Sequence, residues 1–300
     1  MSRLYEAMRR IELERGTAPA PDTSQTAAPL APAASVPPEM PELLKGLRPA
    51  ALDLRGARPA RVEVSVASRL VAITEPRSLG AEKFRSLATR LVNLRREREL
   101  KSLQVTSSIV GEGKSLVSAN LALTFAMESS SKVLLVEGDM HRPSLSTRLG
   151  LSQLTGISQW WRADQQPITQ FLYKLNNWPL WFLAAGGASE QPSQILQSGR
   201  FAEAFLKLSG AFDWVIVDST PMLPTVDSNL WSRLVDGTLL VVRENVAFVN
   251  ALKKGLQSLD NPKLVGIVLN EASEFNRANY EDQYYAIQNT GSEAIVSSAE

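Results

Sequence analysis

The chain has no cysteine and one histidine, His141, in 300 residues. The first absence excludes a disulfide framework, a cysteine metal site and a thiol nucleophile, and it fits a cytosolic protein. Long apolar runs are missing as well. None approaches the roughly 18–20 residues that span a bilayer. The opening residues, Met-Ser-Arg-Leu-Tyr-Glu-Ala-Met-Arg-Arg, lack the apolar segment of a secretory signal. Charge of one sign is also lacking. The net charge is +1, with acids and bases mixed along the chain, so no basic face points to nucleic acid. If the protein works at a membrane, something else brings it there.

What is present is an ordinary globular hydrophobic content of 44%, unevenly distributed. Residues 1–16 read as an amphipathic helix, with Leu4, Met8 and Ile11 on one face. Residues 17–64 are rich in Pro and Ala (Pro19, Pro21, Pro29, Pro32, Pro37, Pro38, Pro41 and Pro49) and read as an extended linker. The body is expected over 65–275, and a flexible, tyrosine-bearing tail over 276–300. Within the body, helices are expected over 82–98, 114–128, 193–208 and 247–259. Strands are expected over 103–107, 133–136, 181–183, 214–217, 239–242 and 265–269. Continuous apolar strands alternating with helices predict an α/β fold: a mostly parallel central sheet with helices on both faces. In such sheets the ligand sits at the carboxyl ends of the strands.

The strand at 103–107 runs into Ser108-Ile109-Val110-Gly111-Glu112-Gly113-Lys114-Ser115 and then a helical pattern beginning at Leu116. This is the order strand, phosphate loop, helix. Gly111 and Gly113 let backbone N–H groups converge on phosphate oxygens, and the helix start adds its positive dipole end. The backbone of Gly111–Leu116 is the expected nucleotide cradle. Lys114 can reach the terminal phosphates, and the Ser115 hydroxyl can bind Mg²⁺. Ser108 stands where the strict pattern has glycine. Two further strands end in acids, Glu137-Gly138-Asp139 and Asp218. Asp218 stands where phosphate-loop enzymes place the acid that holds Mg²⁺. Of Glu137 and Asp139, one could ligate the metal while the other takes a proton from an attacking hydroxyl.

These residues together resemble the bacterial tyrosine kinases of exopolysaccharide and capsule export, whose ATPase domain derives from the Min/Par partition ATPases. The resemblance spans residues 65–288 and the opening Met-Ser-Arg-Leu-Tyr-Glu-Ala. It is carried by Thr106–Ser115 with Ala119-Asn120-Leu121-Ala122, and by Val133–Pro143, which is similar to the family's second acidic motif, Asp-x-Asp-x-Arg. Ala184–Leu196, Phe212–Pro221 and Val235–Arg243 carry it further, as does the tyrosine cluster Tyr280, Tyr284 and Tyr285. Glu137 and His141 replace the first Asp and the Arg of the second motif. Ala88 replaces the second Arg of the oligomerisation helix, whose Glu82 and Arg85 are kept.

The resemblance implies a P-loop kinase that uses ATP and Mg²⁺. Lys114, Glu137, Asp139 and Asp218 would be catalytic, with Glu137 activating the tyrosine hydroxyl. Ser115, Asp139 and Asp218 would hold the metal, and Asn270 would touch adenine. Tyr280, Tyr284 and Tyr285 would be phosphorylated by a neighbouring copy in a homo-oligomer, for which a ring is one form, and a tyrosine phosphatase would reverse the modification. The resemblance also implies a cytoplasmic protein, held at the inner face of the plasma membrane by a separate transmembrane regulator of polysaccharide chain length. A second reading is a regulatory ATP-binding module that transfers phosphate weakly, motivated by Glu137, Ala88 and the sparse tyrosines. A third is a partition-type ATPase. Ile109 argues against it, because those enzymes place a signature Lys at that position.

Overall fold

The computed structural model describes residues 52–272, apart from 152, 164, 165, 177, 224, 245–248 and 259–262. The front helix, residues 17–51 of the linker and the tail with Tyr280, Tyr284 and Tyr285 lie outside the described residues.

Eight strands among the described residues form one sheet. They are β1 (Arg58–Ala60), β2 (Ser102–Ser107), β3 (Val133–Glu137), β4 (Leu172–Leu175), β5 (Leu180–Leu183), β6 (Trp214–Asp218), β7 (Gly237–Arg243) and β8 (Leu264–Asn270), in the spatial order β1-β4-β5-β3-β6-β2-β7-β8. Every neighbouring pair is parallel except β4 and β5, which run antiparallel. The helices are α1 (Val71–Thr74), α2 (Leu79–Glu97), α3 (Lys114–Glu128), α4 (Leu145–Arg148), α5 (Ile157–Arg162), α6 (Pro192–Gln197), α7 (Gly199–Ala211), α8 (Asp227–Leu234) and α9 (Val249–Ser258).

The central strands are buried on both faces, and their two-residue period splits the core into two layers. Leu103, Val105, Leu135, Ile216 and Val241 face α2 and α3, where they meet Leu91, Val117, Leu121 and Phe125. Leu134, Val136, Val215 and Val217 face the other way, toward Phe201, Phe205 and Trp231 of α7 and α8. Phe125 stacks on Trp214 with ring centroids 4.4 Å apart, a geometry worth about 1 kcal/mol beyond the area it buries.

Three differences from the sequence expectation have local causes. The body begins before residue 65. Arg58–Ala60 pairs in parallel with β4 as an edge strand, and Leu52, Leu54 and Ala57 pack on the core, so the linker does not extend to 64. Helix α2 starts one turn earlier than expected, because the Ser78 hydroxyl caps it by accepting from Ala81 N at 3.2 Å. The expected helix over 193–208 is two helices. Ser198, extended at ψ 137°, breaks the run, and its hydroxyl accepts from Phe201 N at 3.1 Å to start α7.

The order β3-β6-β2-β7 brings the carboxyl ends of the motif-bearing strands together. Glu137 is in register with Asp218, and Asp218 with Val105. The phosphate loop leaves β2 at this same edge, and α3 begins there.

Candidate active site

The loop between β2 and α3 is built for close approach of an anion. Gly111 has φ +90° and open space where a Cβ would stand. Gly113, at φ +97°, caps α3 in the left-handed conformation, and a Cβ there would collide with the Asn270 side chain. Glu112 is fully buried and pins the loop from within. Its carboxylate accepts from Ile109 N at 2.9 Å and from Arg243 N at 3.4 Å, and its carbonyl accepts from Asn270 Nδ2 at 2.8 Å. The Leu116 side chain packs into the core, so its backbone is the part available to a ligand. The first N–H groups of α3 have no helical acceptor, and a phosphate is their natural partner. Gly113→Ala is expected to lower ATP affinity at least tenfold in a nucleotide titration, because the left-handed backbone and Asn270 both resist a methyl group.

Asn270 therefore has a role that the sequence did not show. Its amide holds the phosphate loop to the end of β8.

Lys114 Nζ lies 2.9 Å from Asp139 Oδ2 and 3.8 Å from Asp218 Oδ1. Burial alone would lower the Lys114 pKa. The charges of Asp218 and Asp139 outweigh that effect, and the net displacement is upward, so the ammonium persists. Asp139 Oδ1 accepts from Arg142 N at 3.0 Å. Asp218 is wholly buried, faced by Lys114 Nζ at 3.8 Å and by the Ser115 hydroxyl, and neither of its oxygens closes a hydrogen bond among the described residues. Desolvation pushes its pKa up to about 6, against the pull of the Lys114 charge. Ser115 is buried beside them, with the Ser144 hydroxyl 3.2 Å from its own. No three His, Cys, Asp or Glu side chains converge as a metal cage among the described residues. Mg²⁺ does not require one, since it usually keeps several waters and binds through one or two carboxylates plus phosphates. The two orphaned Asp218 oxygens beside the Ser115 hydroxyl fit such a hydrated ion.

Glu137 does not join this group as expected. It is 1% exposed, and both of its oxygens are taken: Oε1 by Ser146 N at 2.9 Å, and Oε2 by Ser146 Oγ at 2.8 Å and Ala185 N at 3.0 Å. β3 stops at Glu137, and the chain continues through Gly138, whose N–H donates to Asp218 O at 2.8 Å. Trp231 supports this segment by donating from its indole nitrogen to Gly138 O at 3.1 Å. His141 Nε2 lies 2.9 Å from Asp227 Oδ2, and Asp227 Oδ1 accepts from Ser193 Oγ at 2.6 Å. Sequence reading missed both Trp231 and Asp227.

On α2, Arg85 binds within its own chain, to Glu82 at 2.9 Å, Glu128 at 3.3 Å and Pro76 O at 3.0 Å. Ala88 is buried against the core.

Comparison with known proteins gives a consistent set. The chain is 30% identical over 221 residues to the tyrosine-protein kinase YwqD of Bacillus subtilis, covering 73% of this chain and 91% of that protein. It is 31% identical over 228 residues to the putative tyrosine-protein kinase CapB of Staphylococcus aureus, covering 73% and 96%. Among solved structures, the chimerical protein CapA2B2 superposes with a TM-score of 0.62 at 27% identity, covering 72% of this chain and 94% of that one. No family model matches the chain.

Proposed function

Because this chain belongs to the bacterial tyrosine-protein kinases of capsule and exopolysaccharide biosynthesis, we propose that it is an ATP-dependent autokinase whose acceptors are Tyr280, Tyr284 and Tyr285 of a neighbouring copy. The observation that carries the reading is the juxtaposition of Lys114 with Asp139 and Asp218 at the mouth of the phosphate loop.

The backbone of Gly111–Leu116 holds the phosphates, and Lys114 balances the charge that builds on the transferring group. Positioning and electrostatics of this kind do most of the work in phosphoryl transfer, whose transition state is loose. Ser115, Asp139 and Asp218 would hold Mg²⁺, directly or through water, and bound Mg²⁺ supplies further neutralisation of the phosphate oxygens. The tyrosine oxygen forms the new bond to the γ-phosphorus as the bond to the β-phosphate oxygen breaks, and the phenolic proton leaves to a nearby acceptor. Glu137 acts as a positioning residue, fixing Ser146 and thus the start of α4. Asn270, already bound to the loop, would keep its side-chain oxygen for adenine.

No helix among the described residues is long and apolar enough to cross a membrane. We place the protein at the inner face of the membrane through a separate transmembrane chain-length regulator, acting as a homo-oligomer and opposed by a tyrosine phosphatase. Phosphosite mapping by mass spectrometry tests the reading. Phosphate is expected on the three tail tyrosines of the natural chain and absent in Lys114→Ala. Unmodified tyrosines in both, with ATP binding intact in the natural chain, would favour an ATP-gated regulatory module.

A further inference from the structure

A cleft of about 530 Å³ opens beside the phosphate loop, between the segment after β1 and helix α4. Ser144, Thr147 and Arg148 line one wall, and Glu63, Ser65 and Ser68 the other. Its inner end is set by Ser144, whose hydroxyl lies 3.2 Å from that of Ser115. The cleft therefore reaches, at Ser144, the neighbourhood of Ser115, the hydroxyl expected to hold Mg²⁺ beside the phosphates.

The unusual feature of this wall is Arg148. Its guanidinium is half-buried. Among the described residues its one acceptor is Ser68 O at 3.4 Å, near the limit of a hydrogen bond, and its Nε is buried with no acceptor. No carboxylate among the described residues pairs with it. Glu63, on the facing wall, is already paired with Arg61 at 3.2 Å. Arg142, one residue before the cleft, is exposed and also has no acidic partner among the described residues. A half-buried cation without a counter-ion is costly, and an arriving carboxylate would offset that cost.

We infer that this cleft is the acceptor subsite for an acidic tyrosine segment, with Arg148 receiving a carboxylate two residues from the tyrosine being phosphorylated. The spacing follows from the helix. Ser144 to Arg148 is one turn of α4, about 6 Å of rise at 1.5 Å per residue. Two residues of extended chain cover about the same distance. The tail reads Tyr280-Glu281-Asp282-Gln283-Tyr284-Tyr285, so Asp282 is two residues from both Tyr280 and Tyr284. Tyr285 has no acid at that spacing. Glu137 also gains a purpose here, because by binding Ser146 it fixes the helix that carries Arg148.

The inference rests on the kinase reading, and its test separates the two. The full chain as enzyme would be assayed on a Lys114→Ala full chain as acceptor. Arg148→Gln in the enzyme is expected to raise KM for the acceptor about tenfold while kcat changes less than threefold, with loss at Tyr280 and Tyr284 and little at Tyr285. Asp282→Asn in the acceptor should do the same, and the two changes together should cost no more than either alone. Arg148→Lys should recover most of the loss, and pairing Arg148→Asp with Asp282→Arg should restore binding. Additive effects, or an unchanged KM, would overturn the subsite. If the natural chain transfers no phosphate, the kinase reading fails, and the subsite is judged by fluorescence anisotropy of a peptide spanning residues 278–288. In that assay a tenfold weaker affinity for Arg148→Gln supports it, and equal affinity overturns it. Unaltered ATP affinity in each variant shows that the fold is intact.

Discussion

Asp218→Asn is expected to stabilise the nucleotide-free protein at neutral pH and to abolish phosphotransfer. Both effects come from one observation, a buried carboxylate that closes no hydrogen bond among the described residues. Its pKa stands at about 6, raised by burial from an ordinary 3.8. The native state thus holds the proton more tightly than the unfolded chain does. Between pH 4 and 6 the unfolded chain releases a proton that the native state keeps, so stability falls as pH rises through this window. Above pH 6 the whole deficit is expressed, on the order of 3 kcal/mol. Asparagine cannot ionise and so removes the deficit, and Asp139 remains as a counter-ion for Lys114 at 2.9 Å. Melting curves without nucleotide should show the variant several degrees above the natural chain at pH 7.5. At pH 4.5 the gap should shrink to about a third. A variant that melts lower at pH 7.5 would show that Asp218 is a structural acid. With Mg²⁺ and ATP added, the order should reverse, since only the natural chain gains full stabilisation from ligand. Transfer by the variant should fall by about 10³-fold, the scale seen when one preorganised charge is removed from an active site.

The strands most central to the fold are the ones the sequence displays best, because burial on both faces demands uninterrupted apolar runs. Val133–Val136, Trp214–Val217 and Leu239–Val242 need no other context, and α3 falls on Lys114–Glu128 as its pattern predicts. The edge is where legibility fails. Arg58-Pro59-Ala60 is short and carries a proline, so its strand character comes entirely from pairing with β4. The break at Ser198 was written in the Ser-Gly pair, a cap followed by a poor helix former, but apolar periodicity runs across it. At the site, residue identities were legible and orientations were not. Lys114 lies against Asp139 and Asp218, with Ser115 buried nearby. Glu137 is held by Ser146 and Ala185, partners that no local pattern announces. The pairing of His141 with Asp227 joins positions far apart in sequence, and no local pattern announces it.

Glu137→Gln distinguishes a positioning carboxylate from a general base, and the expected signature is a loss of stability larger than the loss of chemistry. In the structure three donors converge on Glu137: Ser146 N, Ser146 Oγ and Ala185 N. A glutamine side chain offers one acceptor oxygen and turns an NH₂ group toward at least one of these donors. A buried donor left without an acceptor costs about 1–3 kcal/mol, so the melting temperature should fall by several degrees. Because α4 would then shift, KM for the acceptor chain should rise, while kcat should fall by no more than about tenfold. A general base removed in this way would instead cost 10²–10⁴ in kcat, with the acid limb of the pH–rate profile lost. Glu137→Asp sharpens the comparison. The shorter side chain cannot span both Ser146 and Ala185, so Asp should also lower stability. If Glu137→Asp raised kcat without loss of stability, the carboxylate would be working on substrate, and the hydrogen bonds seen here would be those of a resting arrangement. The longer side chain fits the anchoring role: the added methylene lets one carboxylate reach Ser146 and Ala185 together.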